Sequence, residues 1–237
     1  MSSPAPRHIL AMLLFVAALL ALSAGVGTGS NLPARLEATL LGPNMARAEI
    51  VRMSAGVRHD HRLDRGHIRS ISPGAVTIAE RDGLLVPVPV SAATRVSANG
   101  RLLSLAALRR GMEILTVRGG DQAAETVHII RFKGSAELKA LPRFFLGPAM
   151  VRAEIVLKKN GITHDYRIDR GRVRAVTRDS ITLLERDGLV VPILVAPQAR
   201  IELNDRPVGL PAIRKGMEVT AVRDGDRPAE TVEATRR

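Results

Sequence analysis

The strongest constraint on the fold is internal. Displaced against itself by 105 residues, the chain aligns without a gap from Gly42 to Arg131, and 43 of those 90 positions are identical. GPNMARAEIV falls on GPAMVRAEIV, HDHRLDRG on HDYRIDRG, ERDGLLVPV on ERDGLVVPI, and RRGMEILTVRGGDQAAETV on RKGMEVTAVRDGDRPAETV. A period this long exceeds the 20 to 50 residues of solenoid units, so the copied object is a whole small domain. Two units of about 100 residues are each large enough to bury a core. FKGSAELKALPRFFLGP, with its Gly, Pro and paired Phe, reads as the join, and Phe144-Phe145 as a device that docks one unit on the other. The sequence therefore divides into a leading segment over 1–26, a first domain over 29–131, a linker over 132–147 and a second domain over 148–237.

Within each unit the punctuation is that of strands. Apolar and β-branched runs recur every eight to twelve residues, as in ARAEIVRM, HIRSI, AVTIAE, LLVPVPV, MEILTVR and ETVHII, with turn residues between them. Asn99-Gly100 and the Arg-Asp-Gly triplets read as tight loops whose Gly takes positive φ. One helical turn is expected at SLAALRRG and at GLPAIRKG, ended by Gly111 and Gly216. Pro87, Pro89 and Pro192 cannot donate to a ladder, so they mark an edge or a bulge. The expected fold class is all-β: two tandem small antiparallel β-barrel or sandwich domains, each with one short helical turn, after an N-terminal signal or anchor helix.

The order G-H-I-R-S-I-S, V-T-I, D-G-L-L-V-P-V, T-R-V, L-R-R-G-M-E-I resembles the uncharacterised extracytoplasmic β-barrel domains of bacteria, which often occur in tandem behind a signal peptide. The resemblance covers about residues 66–130 and 171–235. It implies a barrel fold and a place outside the cytoplasm, and brings no established catalytic residues.

The leading segment agrees with that location. Arg7 precedes an uncharged run from Ile9 through Val26, and small residues follow, which is the order of a secretory signal. Eighteen uncharged residues also reach the lower end of a membrane-spanning helix, so the segment is either cleaved or kept as an anchor, and inserts in the membrane at least transiently. Arg7 favours an inside N-terminus, which leaves the rest periplasmic, surface-exposed or secreted. The chain has no cysteine, so disulfides, thiolate metal sites and thiol nucleophiles are excluded.

RHDHRLDRGHIRS gathers His59, His61 and His67 within nine residues. If Asp64-Arg65-Gly66 is a three-residue hairpin loop, Leu63 faces His67, His61 faces Arg69 and His59 faces Ile71, and the imidazoles share one side. Two or three imidazoles there could ligate zinc or copper. Arg69 in the middle of such a site repels a divalent cation, and the second copy keeps only His164 of the three, with Tyr166 and Arg172 in the other places. The favoured expectation is a structural hairpin in both repeats, turning at Asp64, Arg65, Gly66 and at Asp169, Arg170, Gly171.

No G-x-S-x-G, H-E-x-x-H, glycine-rich phosphate loop or EF-hand loop occurs, and the carboxylates bracket arginine-rich turns, so a non-enzymatic protein is expected. Net charge is +12, and 30 of the 35 basic residues are Arg, whose planar fork suits phosphate and carboxylate. Aromatic residues make up only 2% of the chain, which leaves no stacking platforms for bases or sugar rings, so no nucleic acid is expected as a partner. The resulting expectation is an exported interaction or scaffold module of the cell envelope. Its partner would be an anionic envelope polymer, an acidic lipid or an acidic protein held by a basic surface; the alternative is a zinc- or copper-binding protein centred on the first His cluster.

Overall fold

The computed structural model describes residues 39–130 and 136–236. The signal or anchor segment expected over residues 1–26 lies outside them, and among the described residues no helix is long and apolar enough to cross a membrane. The first copy folds as β1 (Met45–Ser54), β2 (Val57–Ser72), β3 (Ala75–Glu80), β4 (Leu85–Pro89), β5 (Arg95–Ala98), β6 (Arg101–Leu103), a 3-10 turn (Leu105–Ala107), β7 (Glu113–Gly119) and β8 (Thr126–Ile129). One helix, α1 (Ala136–Phe145), follows. The second copy repeats the order as β9 (Met150–Lys159), β10 (Ile162–Val176), β11 (Ser180–Glu185), β12 (Val190–Leu203), β13 (Arg206–Pro207), a 3-10 turn (Leu210–Ala212), β14 (Glu218–Asp224) and β15 (Ala229–Thr235). The protein is thus nearly all β, built on small barrels with a few helical turns.

In the second copy the ladder closes as β10-β11-β12-β15-β14-β10. The first copy makes the same ring, with the single long β12 replaced by β4 and β5 and the break bridged by Ala124 N–H donating to Pro89 O at 2.8 Å. Five strands cannot alternate direction all the way round a ring, so one contact must be parallel. That contact is β12 with β15, and β5 with β8, in place of the purely antiparallel barrel that the sequence suggests. Inward positions alternate along the strands, as in β3, where Val76 and Ile78 are buried between half-exposed neighbours. Tight hairpins join the strands where the sequence supplies positive φ: Asn99 and Gly100 (51° and 79°) close β5 on β6.

Strands β1 and β9, which belong to neither ring, pair antiparallel at the middle of the sheet order and fuse the barrels into one sheet. Glu49 opposes Glu154, its own equivalent 105 residues on, so an approximate twofold axis passes between them. Two cores fill the barrels, around Ile68, Ile78 and Val127 in the first and Leu183, Ile193 and Val232 in the second. A third lies between them under α1, where Leu141, Phe145 and Leu146 cover Ile50, Leu63, Ile155 and Ile168. Burying each such side chain contributes roughly 1.5–3 kcal/mol, which ties the two copies into one body. The stretch read as a linker is therefore in part a packed helix.

The hairpin reading of Asp64-Arg65-Gly66 is overturned. β2 is one continuous 16-residue strand and β10 one of 15, with both triplets buried at their middles. Gly66 has no positive φ; a Cβ on it would sit 2.2 Å from Ala79 O, and one on Gly171 would sit 2.6 Å from Leu184 O. Glycine is required by the close crossing of β2 over β3, and by that of β10 over β11, rather than by a turn. Beyond it the register slips at Arg69 and at Arg174, a bulge that re-aims both arginines.

Candidate functional surfaces

The pairing registers place one row of side chains straight across the six central strands. Arg118, Arg62, Glu49, Glu154, Arg167 and Arg223 oppose one another in turn on β7, β2, β1, β9, β10 and β14. The two glutamates meet at the axis, where like charges directly opposite are unfavourable, and each is relieved by an arginine from its own copy. Arg62 lies 3.4 Å from Glu49 and 3.9 Å from Asp121; Arg167 lies 3.7 Å from Glu154 and 2.6 Å from Asp226. The open face here forms a cleft of about 450 Å³ whose walls include Arg58, Asp60, Arg62, Arg152, Glu49 and Glu154. Its cations are neutralised within it, so this cleft is not the basic surface expected from the net charge.

Beside the row, on the same face of the seam strands, buried carboxylates are paired with arginines in both copies. Asp64 is 0% exposed and accepts from Arg118 at 3.1 Å, and Asp169 pairs with Arg223 at 3.2 Å. Arg47 binds Glu80 at 2.7 Å and Asp82 at 2.5 Å, and Arg152 binds Glu185 and Asp187 in the same way. Arg65 donates to Gly42 O at 3.0 Å, and Arg170 to Gly147 O at 2.6 Å. These contacts join the seam strands to the barrel walls, a structural task that the Asp-Arg-Gly triplets perform from within the strand. Burial pushes Glu80 and Glu185 up to about 7 against the pull of their arginines.

The three histidines do not converge. His59 and His61 stack at 6.2 Å between centroids, but His67 is six residues further along the same extended strand, about 20 Å away at 3.3 Å per residue. His61 faces the core under α1, edge-on to Phe145 at 5.3 Å, and burial drives it down to about 4. His67 sits opposite Ala79 and Glu113, and His59 opposite Arg52. The three imidazoles expected to share a zinc or copper site, His59, His61 and His67, are thus not brought together, because no hairpin folds the strand back. Among the described residues no group of three or more His, Cys, Asp or Glu side chains is placed to hold an ion. In the second copy His164 and Tyr166 make the equivalent stack, at 5.7 Å, so the second position of the stack keeps a ring without keeping an imidazole.

Part of the surplus positive charge lies on the outer walls of the barrels. In the first copy Arg69, Arg109 and Arg110 are exposed, and in the second Arg174, Arg214 and Lys215 occupy the equivalent places. Each basic turn is anchored beside the bulged strand, by Gly111 N–H to Ile68 O and Gly216 N–H to Val173 O, both at 2.8 Å. None of these six cations lies in a salt bridge among the described residues, whereas most described carboxylates do. Alternation in the sequence signals arginines on an outward face; only the bulge and the paired turn show that they gather into one patch per copy.

A pair of fused five-stranded barrels with a charge-compensated seam and basic outer walls is the class of protein these features define. Comparison of the chain with protein-family models, curated proteins and solved structures finds no match.

Proposed function

We propose that the chain is an exported, non-enzymatic interaction or scaffold module of the cell envelope that binds an anionic partner through its basic surface. The observation that carries this reading is the recurrence of exposed cations outside salt bridges at matching positions in both copies, while most described carboxylates are taken up in ion pairs. Two such patches on one continuous sheet give bivalent contact with a polymer or a surface, where the second contact forms at high effective concentration. The buried carboxylates join strands in both copies alike, which fits a structural duty better than catalysis.

Inorganic polyphosphate, immobilised, is a suitable probe. Wild-type retention is expected to fall at least about tenfold between low and moderate salt, as counterion release requires when several arginines contact phosphates. Arg69→Glu, Arg110→Glu, Arg174→Glu and Lys215→Glu together are expected to abolish retention without changing thermal unfolding, since all four side chains are exposed. Salt-insensitive retention, or a fourfold variant that binds as wild type does, overturns the proposal.

A further inference from the structure

We infer that the outward face of the second barrel docks on an anionic lipid bilayer, an inference that rests on the basic-surface reading above and names the partner of one of its two patches. The registers set Arg172 of β10, Leu184 of β11 and Val190 of β12 side by side, with Leu194 on the same face of β12. Leu184 is 37% exposed, Val190 42% and Leu194 58%, and Leu189 at the hairpin tip is 49% exposed. Pro192 and Thr182 lie between them, so the patch is continuous along the β11-β12 hairpin. Around it stand Arg172, Arg174, Arg178, Arg214 and Lys215, all exposed and none in a salt bridge among the described residues. Of the neighbouring acids, Glu218 opposite Arg172 is buried and paired with Arg186 at 3.1 Å, and the exposed Asp179 accepts from Thr177 at 3.1 Å in the β10-β11 turn.

The first copy shows that this face is not a by-product of the fold. Its equivalent residues are His67 for Arg172, Ala79 for Leu184, Leu85 for Val190 and Pro89 for Leu194, with Pro73 in place of Arg178. The interior positions stay apolar in both copies, as with Val76 and Ile181 or Ile78 and Leu183. Leu184, Leu194, Arg172 and Arg178 thus set the second copy apart, on a surface where the barrel requires none of them, while exposed Leu84 and Leu85 (47% and 56%) and Arg69, Arg109 and Arg110 give the first copy only the part common to both. Leucines add nothing to the capture of a soluble polyanion. They also protrude from a convex barrel wall instead of lining a groove that would receive a helix. Apolar side chains that sink beneath headgroups, ringed by guanidinium groups at phosphate level, match an anionic bilayer.

Because the chain contains no cysteine, single labels report on each face separately. Full-length Leu194→Cys and Pro89→Cys proteins carry an environment-sensitive fluorophore and are mixed with vesicles of phosphatidylglycerol and phosphatidylcholine, or of phosphatidylcholine alone. The expected result is a blue shift at residue 194 with the anionic vesicles, little change at residue 89, and none at either with neutral vesicles. A site-specific signal is needed because residues 1–26 carry their own membrane-inserting signature and are common to every variant. In parallel, Leu184→Ser with Leu194→Ser is expected to weaken anionic-vesicle binding about tenfold and to leave polyphosphate binding within twofold. An unshifted label at 194, an equal shift at 89, or serine variants that bind vesicles as wild type does, overturns the inference. If polyphosphate retention keeps its salt dependence while the 194 label stays silent, only the bilayer assignment fails. Loss of that salt dependence sinks the broader reading instead.

Discussion

Gly66→Ala and Gly171→Ala are each expected to lower the unfolding free energy by about 3 kcal/mol or more, whereas Gly119→Ala leaves it within about 1 kcal/mol. A methyl group added at Gly66 would lie 2.2 Å from Ala79 O and 2.7 Å from its carbonyl carbon, and one added at Gly171 would lie 2.6 Å from Leu184 O. Both obstacles are backbone atoms locked in a ladder, Gly66 opposite Glu80 and Gly171 opposite Glu185, so relief means parting the strands at the point where a barrel joins the seam. Gly119 is also a strand residue without positive φ, but its nearest foreign atom is the flexible Glu125 Oε1 at 3.5 Å, and the second copy already carries Asp224 there. Urea denaturation of the three variants separates a close-crossing glycine from a replaceable one. A Gly66→Ala protein as stable as wild type would show that β2 and β3 do not cross at this distance.

The same glycine explains where the sequence misleads. Asp-Arg-Gly reads as a turn because Asp and Gly are strong turn formers, and local propensity alone makes it a loop. What decides the matter is tertiary: two strands approach within contact distance, Asp64 finds Arg118 across the ladder, and Arg65 reaches the carbonyl of Gly42. Those partners lie 54 and 23 residues away, beyond any window used to read a turn. The all-β fold class is legible because period-2 alternation and the positive-φ pair Asn99-Gly100 are local signals, and the duplication is legible because it needs no structure at all. The Arg-Arg-Glu-Glu-Arg-Arg row is not, since the pairings of six strands must be known before its members become neighbours. The histidine cluster fails for the converse reason: closeness in sequence along an extended strand is distance in space, and only a turn between His61 and His67 would reverse that.

Stability is expected to fall by several kcal/mol between pH 5 and pH 8, contrary to the plateau usual for a protein rich in ion pairs. Burial raises Glu80, Glu185 and Glu233 to about 7 from an ordinary value of 4.5, and all three are less than a tenth exposed. Between about pH 4.5 and 7 the folded chain therefore holds protons that the unfolded chain has released, so each rise in pH favours unfolding. Shifts of this size are worth roughly 3 kcal/mol per group. His61, lowered to about 4 chiefly by burial and next by Arg52, acts in the opposite sense between about pH 4 and 6.5, where the unfolded chain binds the extra proton. Three carboxyls outweigh one imidazole, and above pH 6.5 the imidazole no longer contributes. The carboxyls held low, Asp187 and Asp224, lend stability that is lost only as pH drops below the ordinary carboxylate range. Urea midpoints measured at pH 5, 6, 7 and 8 check the slope, and a midpoint that rises across this range is the opposite sign and defeats the argument. Glu80→Gln with Glu185→Gln assigns it. A neutral amide still accepts from Arg47 and Arg152 but loses no proton, so this variant should match wild type at pH 5, exceed it at pH 8, and retain the weaker slope left by Glu233 and the other groups that burial shifts.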